Sequence, residues 1–154
     1  MKEMNRPHFV GMALIVIFAL VIQLSVGATP AHAATSGGNA AYVTLVNRAG
    51  GLNGISASKR KNIKSVIYRF EFARMLKNLY GNRINPDAAW IDGAALTQAW
   101  ACHMMSASAA QMGVKMTWKG GSSGAKVNLG TACKLITLMV GSAASLKPAR
   151  WPAA

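Results

Sequence analysis

Basic side chains are concentrated in the middle of the chain. They form what we call the basic cluster, which consists of Lys59, Arg60, Lys61 and Lys64. Ammonium and guanidinium groups bind carboxylates and phosphates, and a guanidinium can do so through two parallel hydrogen bonds. The cluster therefore predicts contact with an anionic polymer or surface, with a solvated loop as the alternative.

Three other side chains are candidates for a binding site. Glu71 lies near the start of a predicted helix, where a carboxylate is favoured and can complete a capping box. Arg69 lies at the same end, where a cation is not favoured, so it indicates a specific anionic partner, with simple solvent exposure as the alternative. Trp118 lies in a glycine-rich loop, residues 115–126. It is predicted either to stack on a sugar ring or to cap the core.

Catalytic chemistry finds little support in the sequence. Glycoside hydrolysis requires two carboxylates across a cleft, and after residue 33 the acidic residues are Glu71, Asp87 and Asp92. Cys102 has no base to activate it, since the adjacent His103 points about 100° away on a helix. We therefore expect no enzymatic activity, no cofactor and no metal site.

The first 33 residues have the pattern of a cleavable signal peptide. Lys2 and Arg6 provide positive charge, residues 9–22 are an uncharged run of 14 residues, and residues 31–33 are Ala-His-Ala. An uncleaved anchor is the alternative, but a spanning helix needs about 20 apolar residues. The pattern predicts a secreted or cell-surface protein. Removing Lys2, Arg6 and Glu3 lowers the net charge from +13 by one, to +12.

Export also bears on the two cysteines. Cys102 and Cys133 are an even pair, and outside the cytoplasm such a pair predicts a disulfide. The alternative is two free buried thiols, because both cysteines lie on apolar faces of predicted helices.

The hydrophobic periodicity predicts a mainly α-helical chain. A flexible leader, residues 34–40, precedes the domain, residues 41–141, and a tail, residues 142–154, follows it. Four helices are predicted, and each is ended by glycine: about 41–49, 68–80, 93–112 and 129–140. The polar segment 53–65 is predicted to be a loop.

An internal repeat is predicted within the domain. Residues 67–81, shifted by 60 positions, overlie residues 127–141 with their apolar positions in register, and Gly81 falls on Gly141. Repetition of a helix, a glycine turn, a loop and a second helix predicts two repeats, about 41–81 and 93–141. The fold class expected is therefore all-α, with two helix-loop-helix repeats packed as a small four-helix domain.

The repeat unit resembles the S-layer homology (SLH) module, whose second helix follows the pattern Val/Ile-Thr-Arg-Ala-Glu. The first copy reads Ile67-Tyr68-Arg69-Phe70-Glu71-Phe72-Ala73-Arg74-Met75-Leu76. A second segment, Asn85-Pro86-Asp87-Ala88-Ala89-Trp90, resembles the opening of the module. Tyr68 and Phe70 stand where the pattern has Thr and Ala. The resemblance implies attachment to the cell wall, with Arg69 contacting a charged, often pyruvylated, saccharide.

These observations predict a secreted cell-envelope protein that binds an anionic cell-wall polysaccharide without a covalent bond. The polymer expected is a pyruvylated polysaccharide or a polymer of the teichoic-acid type. The alternative is a cationic secreted protein that binds membrane or nucleic acid, as an effector or an antimicrobial. A structural envelope protein with no ligand of its own is the third possibility.

Overall fold

The computed structural model describes residues 38–118 and 123–153. The predicted signal peptide, residues 1–33, lies outside the described residues, as do residues 34–37 of the leader. Five α-helices form in the described part: α1 Gly38–Arg48, α2 Ala57–Lys61, α3 Arg69–Tyr80, α4 Gln98–Gln111 and α5 Leu129–Ser142. Short 3₁₀ turns cover Gly81–Arg83, Ala88–Trp90 and Ala144–Leu146. The mainly α-helical fold class is confirmed.

The three long helices α3, α4 and α5 begin from a shared ring of backbone hydrogen bonds. The Ile67 N–H donates to the Val127 carbonyl at 3.1 Å, and the Val127 N–H donates to the Leu96 carbonyl at 2.8 Å. The Leu96 N–H closes the ring on the Ile67 carbonyl at 2.8 Å. All three side chains are buried. Each ring residue lies two positions before a helix, so the ring fixes where the helices start.

The residue after each ring residue occupies the N-cap position of its helix. The Thr97 hydroxyl accepts from the Trp100 N–H at 3.3 Å, and the Asn128 side-chain oxygen accepts from the Thr131 N–H at 2.9 Å. The Tyr68 side chain makes no capping hydrogen bond to the first turn of α3. Glu71 compensates, since its carboxylate accepts the Tyr68 N–H at 2.9 Å. The capping role predicted for Glu71 is confirmed.

The same positions after each cap are buried in all three helices. They are Phe72, Ala73, Met75, Leu76, Leu79 and Tyr80 in α3; Ala101, Cys102, Met104, Met105, Ser108 and Ala109 in α4; and Ala132, Cys133, Leu135, Ile136, Met139 and Val140 in α5. The same pattern of buried positions, predicted for two helices, is therefore found in three. The predicted α3–α5 pair shares this pattern, whereas the division of residues 41–141 into two repeats stays a prediction.

Helix α1 lies against α5, and the two backbones approach closely at Gly130. A Cβ atom added to Gly130 would lie 2.8 Å from the Asn39 Cβ. Only a residue without a side chain allows this approach. The first turn of α1 therefore packs directly against the first turn of α5.

Several boundaries differ from the sequence prediction. Helix α1 begins at Gly38, within the predicted leader, and α4 begins at Gln98 rather than near residue 93. The predicted loop 53–65 contains α2, which Ser56 caps weakly through the Lys59 N–H at 3.4 Å.

The predicted tail also contributes to the core. Helix α5 continues past Gly141 to Ser142, and Leu146 beyond it is fully buried. The buried Tyr80 hydroxyl donates to the Leu146 carbonyl at 2.7 Å. Burial raises the pKa of Tyr80 well above its ordinary value, although Arg83 opposes the shift. Residues 144–146 are thereby attached to the end of α3.

The disulfide prediction is wrong, because Cys102 and Cys133 are free, buried thiols. Each occupies an inward position of its helix, on α4 and α5 respectively, and serves as a small apolar side chain in the core. Burial raises the pKa of the Cys102 thiol and raises the pKa of Cys133 to about 12. Both thiols therefore stay protonated near neutral pH.

In the part of the chain that the structure describes, none of the helices combines the length and the apolar character needed to cross a membrane.

Candidate anion-binding site

Lys59 and Glu71 are engaged with each other. The Lys59 Nζ lies 2.7 Å from both Glu71 carboxylate oxygens, and it also lies 4.4 Å from the centroid of the Tyr68 ring. The two side chains are only 23% and 9% exposed. Their charges compensate each other, so the pair joins α2 to the start of α3 rather than presenting charge to a ligand.

Arg60 and Lys61, by contrast, are exposed and line an open cleft of about 420 Å³ between α1 and α2. Arg48, in the last turn of α1, lines the same cleft. The remaining lining residues are apolar or uncharged: Val43, Thr44, Asn47, Leu52 and Ala57. None of the described residues that line this cleft is acidic. We call it the basic cleft.

Within residues 38–118 and 123–153 there are two salt bridges, Lys59–Glu71 and Arg69–Asp92. The carboxylate of the third acid, Asp87, accepts the Ala89 N–H at 3.1 Å. The acids are therefore held by groups other than the cations of the basic cleft. Lys64 of the basic cluster is exposed as well, although it does not line the cleft.

Arg69 is held in place from two sides. Its Nη1 donates to the Asp92 carboxylate at 2.8 Å, and its guanidinium carbon lies 3.9 Å from the centroid of the Trp100 ring. His103 meets Trp100 edge to face, with centroids 5.4 Å apart. Trp100 and His103 line a second, shallower cleft of about 280 Å³. Arg69 thus belongs to a different surface feature from the basic cleft, and its charge is already paired.

Trp118 is partly buried and packs against the core. It is not among the residues that line the basic cleft. The structure therefore does not bring the predicted sugar-stacking residue to the predicted cations. Its neighbours 119–122 in the glycine-rich loop lie outside the described residues.

Sequence reasoning missed Arg48, Asp92, Trp100 and His103 as site residues. The available signal for Arg48 was its position in the last turn of a predicted helix, where a cation is favoured by the helix dipole. No local pattern connects Arg48 with Arg60, because the turn between α1 and α2 brings them together. Asp92 and Trp100 likewise meet Arg69 only through the fold.

The comparisons with known proteins give no independent assignment: no family model, curated protein or solved structure matches the chain. The resemblance to the SLH module stays a prediction. Among the described residues, no group of three or more His, Cys, Asp or Glu side chains is arranged to hold a metal ion. What remains as a candidate site is the basic cleft, whose cations form no salt bridge with the described acids.

Proposed function

We propose that the protein attaches without a covalent bond to an anionic polymer of the cell envelope, with the basic cleft as the principal contact. The observation that carries the proposal is the meeting of Arg48, Arg60 and Lys61 at one open cleft, with no acidic side chain among the described residues that line it. A bound anion would offset the mutual repulsion of three like charges that line one cleft. The predicted export of the chain supports this assignment, because it would bring the cleft to envelope polymers.

The shape of the cleft favours a polymer over a small molecule. Small-molecule sites are usually enclosed and mostly apolar, whereas this cleft is open and cationic. Exposed ion pairs are individually weak, at about 0.2–1 kcal/mol each. A polymer with repeated carboxylates or phosphates adds many such contacts in one molecule.

Arg69 takes a secondary part in this proposal. The resemblance to the SLH module implies that Arg69 contacts the saccharide, but in the structure Asp92 already occupies one side of its guanidinium. An incoming anion would have to compete with Asp92, whose side chain is 47% exposed. We therefore expect a smaller loss of binding from Arg69→Ala than from changes in the basic cleft.

Co-sedimentation with purified cell walls tests the proposal. The variant Arg60→Gln/Lys61→Gln removes two cleft cations, and the matched control Lys134→Gln/Lys147→Gln removes two exposed cations elsewhere. We expect about tenfold weaker retention for the cleft variant, from about 0.7 kcal/mol per lost contact. The control should lose far less, and added salt should release the wild-type chain. Equal losses from the two variants, or retention that salt does not affect, would contradict the proposal.

A further inference from the structure

Four large apolar side chains are exposed to solvent. In the described part they are Val66 at 38% exposure, Tyr68 at 36%, Ile91 at 61% and Leu138 at 47%. Val66 and Tyr68 lie two residues apart in an extended segment and so point to the same side. Phe70 stacks on Tyr68, with centroids 6.0 Å apart and planes 9° apart.

Phe70 also connects this stack to Ile91, since both line a cleft of about 440 Å³ beside α3. We group Val66, Tyr68, Phe70 and Ile91 as one surface, which we call the apolar face. Contiguous exposed apolar surface of this kind marks an interaction site more often than isolated exposed side chains do. Leu138, on α5, is not part of it.

Two cations of α3, Arg74 and Lys77, line the same cleft as Phe70 and Ile91. The Arg74 guanidinium lies 5.9 Å from the Phe70 centroid, and the Lys59 Nζ lies 4.4 Å from the Tyr68 centroid, although the Lys59 charge is paired with Glu71. Arg74 and Lys77 are oriented by the Gly54 and Ile84 carbonyls, each at 2.9 Å. Because these partners are neutral, none of the acids that the structure describes forms a salt bridge with Arg74 or Lys77.

We propose that the apolar face docks on the surface of an anionic lipid bilayer. Exposed apolar and aromatic side chains beside Arg and Lys have the composition of an interfacial membrane contact. The apolar groups enter the boundary between headgroups and acyl chains, and the long cationic side chains reach the phosphates. This inference goes beyond the proposed polymer binding and uses different residues from Arg48, Arg60 and Lys61.

The geometry favours a bilayer over the two other anionic partners. A sugar or a nucleic-acid base binds aromatic side chains by lying on a ring face. Here the ring faces of Tyr68 and Phe70 are directed at each other and at Lys59 and Arg74. Ile91 is aliphatic and offers no stacking face. Tyr68 and Phe70 are also the two positions that depart from the Thr and Ala of the SLH pattern.

A position-specific probe on the full chain tests the proposal. An environment-sensitive fluorophore is attached to Ile91→Cys and, as the matched control, to Leu138→Cys. The native Cys102 and Cys133 are only 6% and 0% exposed, so the fluorophore reacts with the introduced cysteine. Vesicles contain phosphatidylcholine alone or with phosphatidylglycerol, and nitroxide-labelled lipid serves as quencher. The apolar run 9–22 is common to both chains, so a difference between the two probes reports which surface meets the lipid.

On vesicles with phosphatidylglycerol we expect at least threefold stronger quenching at position 91 than at position 138, and little difference on phosphatidylcholine alone. Equal quenching at the two positions, or none at position 91, would overturn the proposal. Shielding of position 91 by purified wall polymer but not by vesicles would also overturn it and would assign the face to the polymer.

Partition measurements provide a second test. Ile91→Gln should weaken binding to phosphatidylglycerol vesicles about tenfold relative to the wild-type chain, because it removes one buried aliphatic group. Lys77→Gln should weaken it about fivefold, as expected for one basic residue near an anionic surface. Leu138→Gln and Lys134→Gln are the matched controls, and equal effects from them would overturn the proposal. None of these variants alters the basic cleft, so failure here leaves the cell-wall result unaffected.

Discussion

Replacing Glu71 tests how the basic segment is attached to the rest of the fold. Its carboxylate makes three short contacts, two with the Lys59 Nζ at 2.7 Å and one with the Tyr68 N–H at 2.9 Å. Glu71→Ala removes all of them and leaves a mostly buried ammonium without its partner. We expect it to lower the free energy of unfolding by about 3 kcal/mol, with about 1 from the lost cap and about 2 from the stranded charge.

Glu71→Gln separates these two contributions. Glutamine keeps an oxygen that can accept the Tyr68 N–H but carries no charge for Lys59. We expect a loss of about 1–2 kcal/mol, which is smaller than for alanine because the cap survives. Asp87→Asn is the matched control, since Asp87 is an exposed acid that caps a turn without an ion pair. It should change stability by less than about 0.5 kcal/mol.

Urea unfolding followed by circular dichroism at 222 nm measures these differences. A double-mutant cycle of Glu71→Gln with Lys59→Met should show a coupling energy of about 1 kcal/mol or more, because the side chains are in contact. Methionine retains the aliphatic stem over Tyr68. A coupling energy near zero, or equal effects of Glu71→Gln and Asp87→Asn, would refute the structural role assigned to the pair.

Two further predictions concern the core. Gly130→Ala should destabilise the protein by about 1–2 kcal/mol, because the new Cβ would lie 2.8 Å from the Asn39 Cβ. The control is Gly141→Ala, in the same helix with open space around it. In the same urea titration this control should be neutral or stabilising. Because burial raises the pKa of Cys133 to about 12 from 9.0, the folded state retains this proton where the unfolded state loses it, so the free energy of unfolding should fall as pH rises from 9 to 12. This thiol should contribute a loss of about 1–2 kcal/mol at pH 10.5. Cys133→Ala should make the pH dependence shallower without abolishing it, because burial also raises the pKa of Cys102 and Tyr80; equal slopes for the two chains would contradict the prediction.

The sequence predicted the existence and type of the long helices, because their apolar positions recur at helical spacing. It also located the end of α3, where Gly81 adopts a φ of +57°. Glu71 could be assigned its capping role because that role depends on neighbours in the sequence.

Features that depend on distant contacts were not predictable in this way. Leu96 takes the same place in the hydrogen-bond ring before α4 as Ile67 and Val127 take before α3 and α5. The pair Leu96-Thr97 is too short a sequence pattern to predict this similarity. The basic cleft needs Arg48 from α1, which only the turn after α1 brings to Arg60. The cysteines satisfied the composition rule for a disulfide, but each side chain takes an inward core position on its own helix.

The proposed function depends most on the basic cleft as the site of anionic polymer binding. Isothermal titration of purified anionic wall polymer into the wild-type chain and into Arg60→Gln/Lys61→Gln, over a range of sodium chloride concentrations, tests it most directly. We predict that the wild-type affinity falls steeply with salt, and that the cleft variant binds about tenfold more weakly at low salt with a shallower dependence. Equal affinity and equal salt dependence of the two chains would contradict the account.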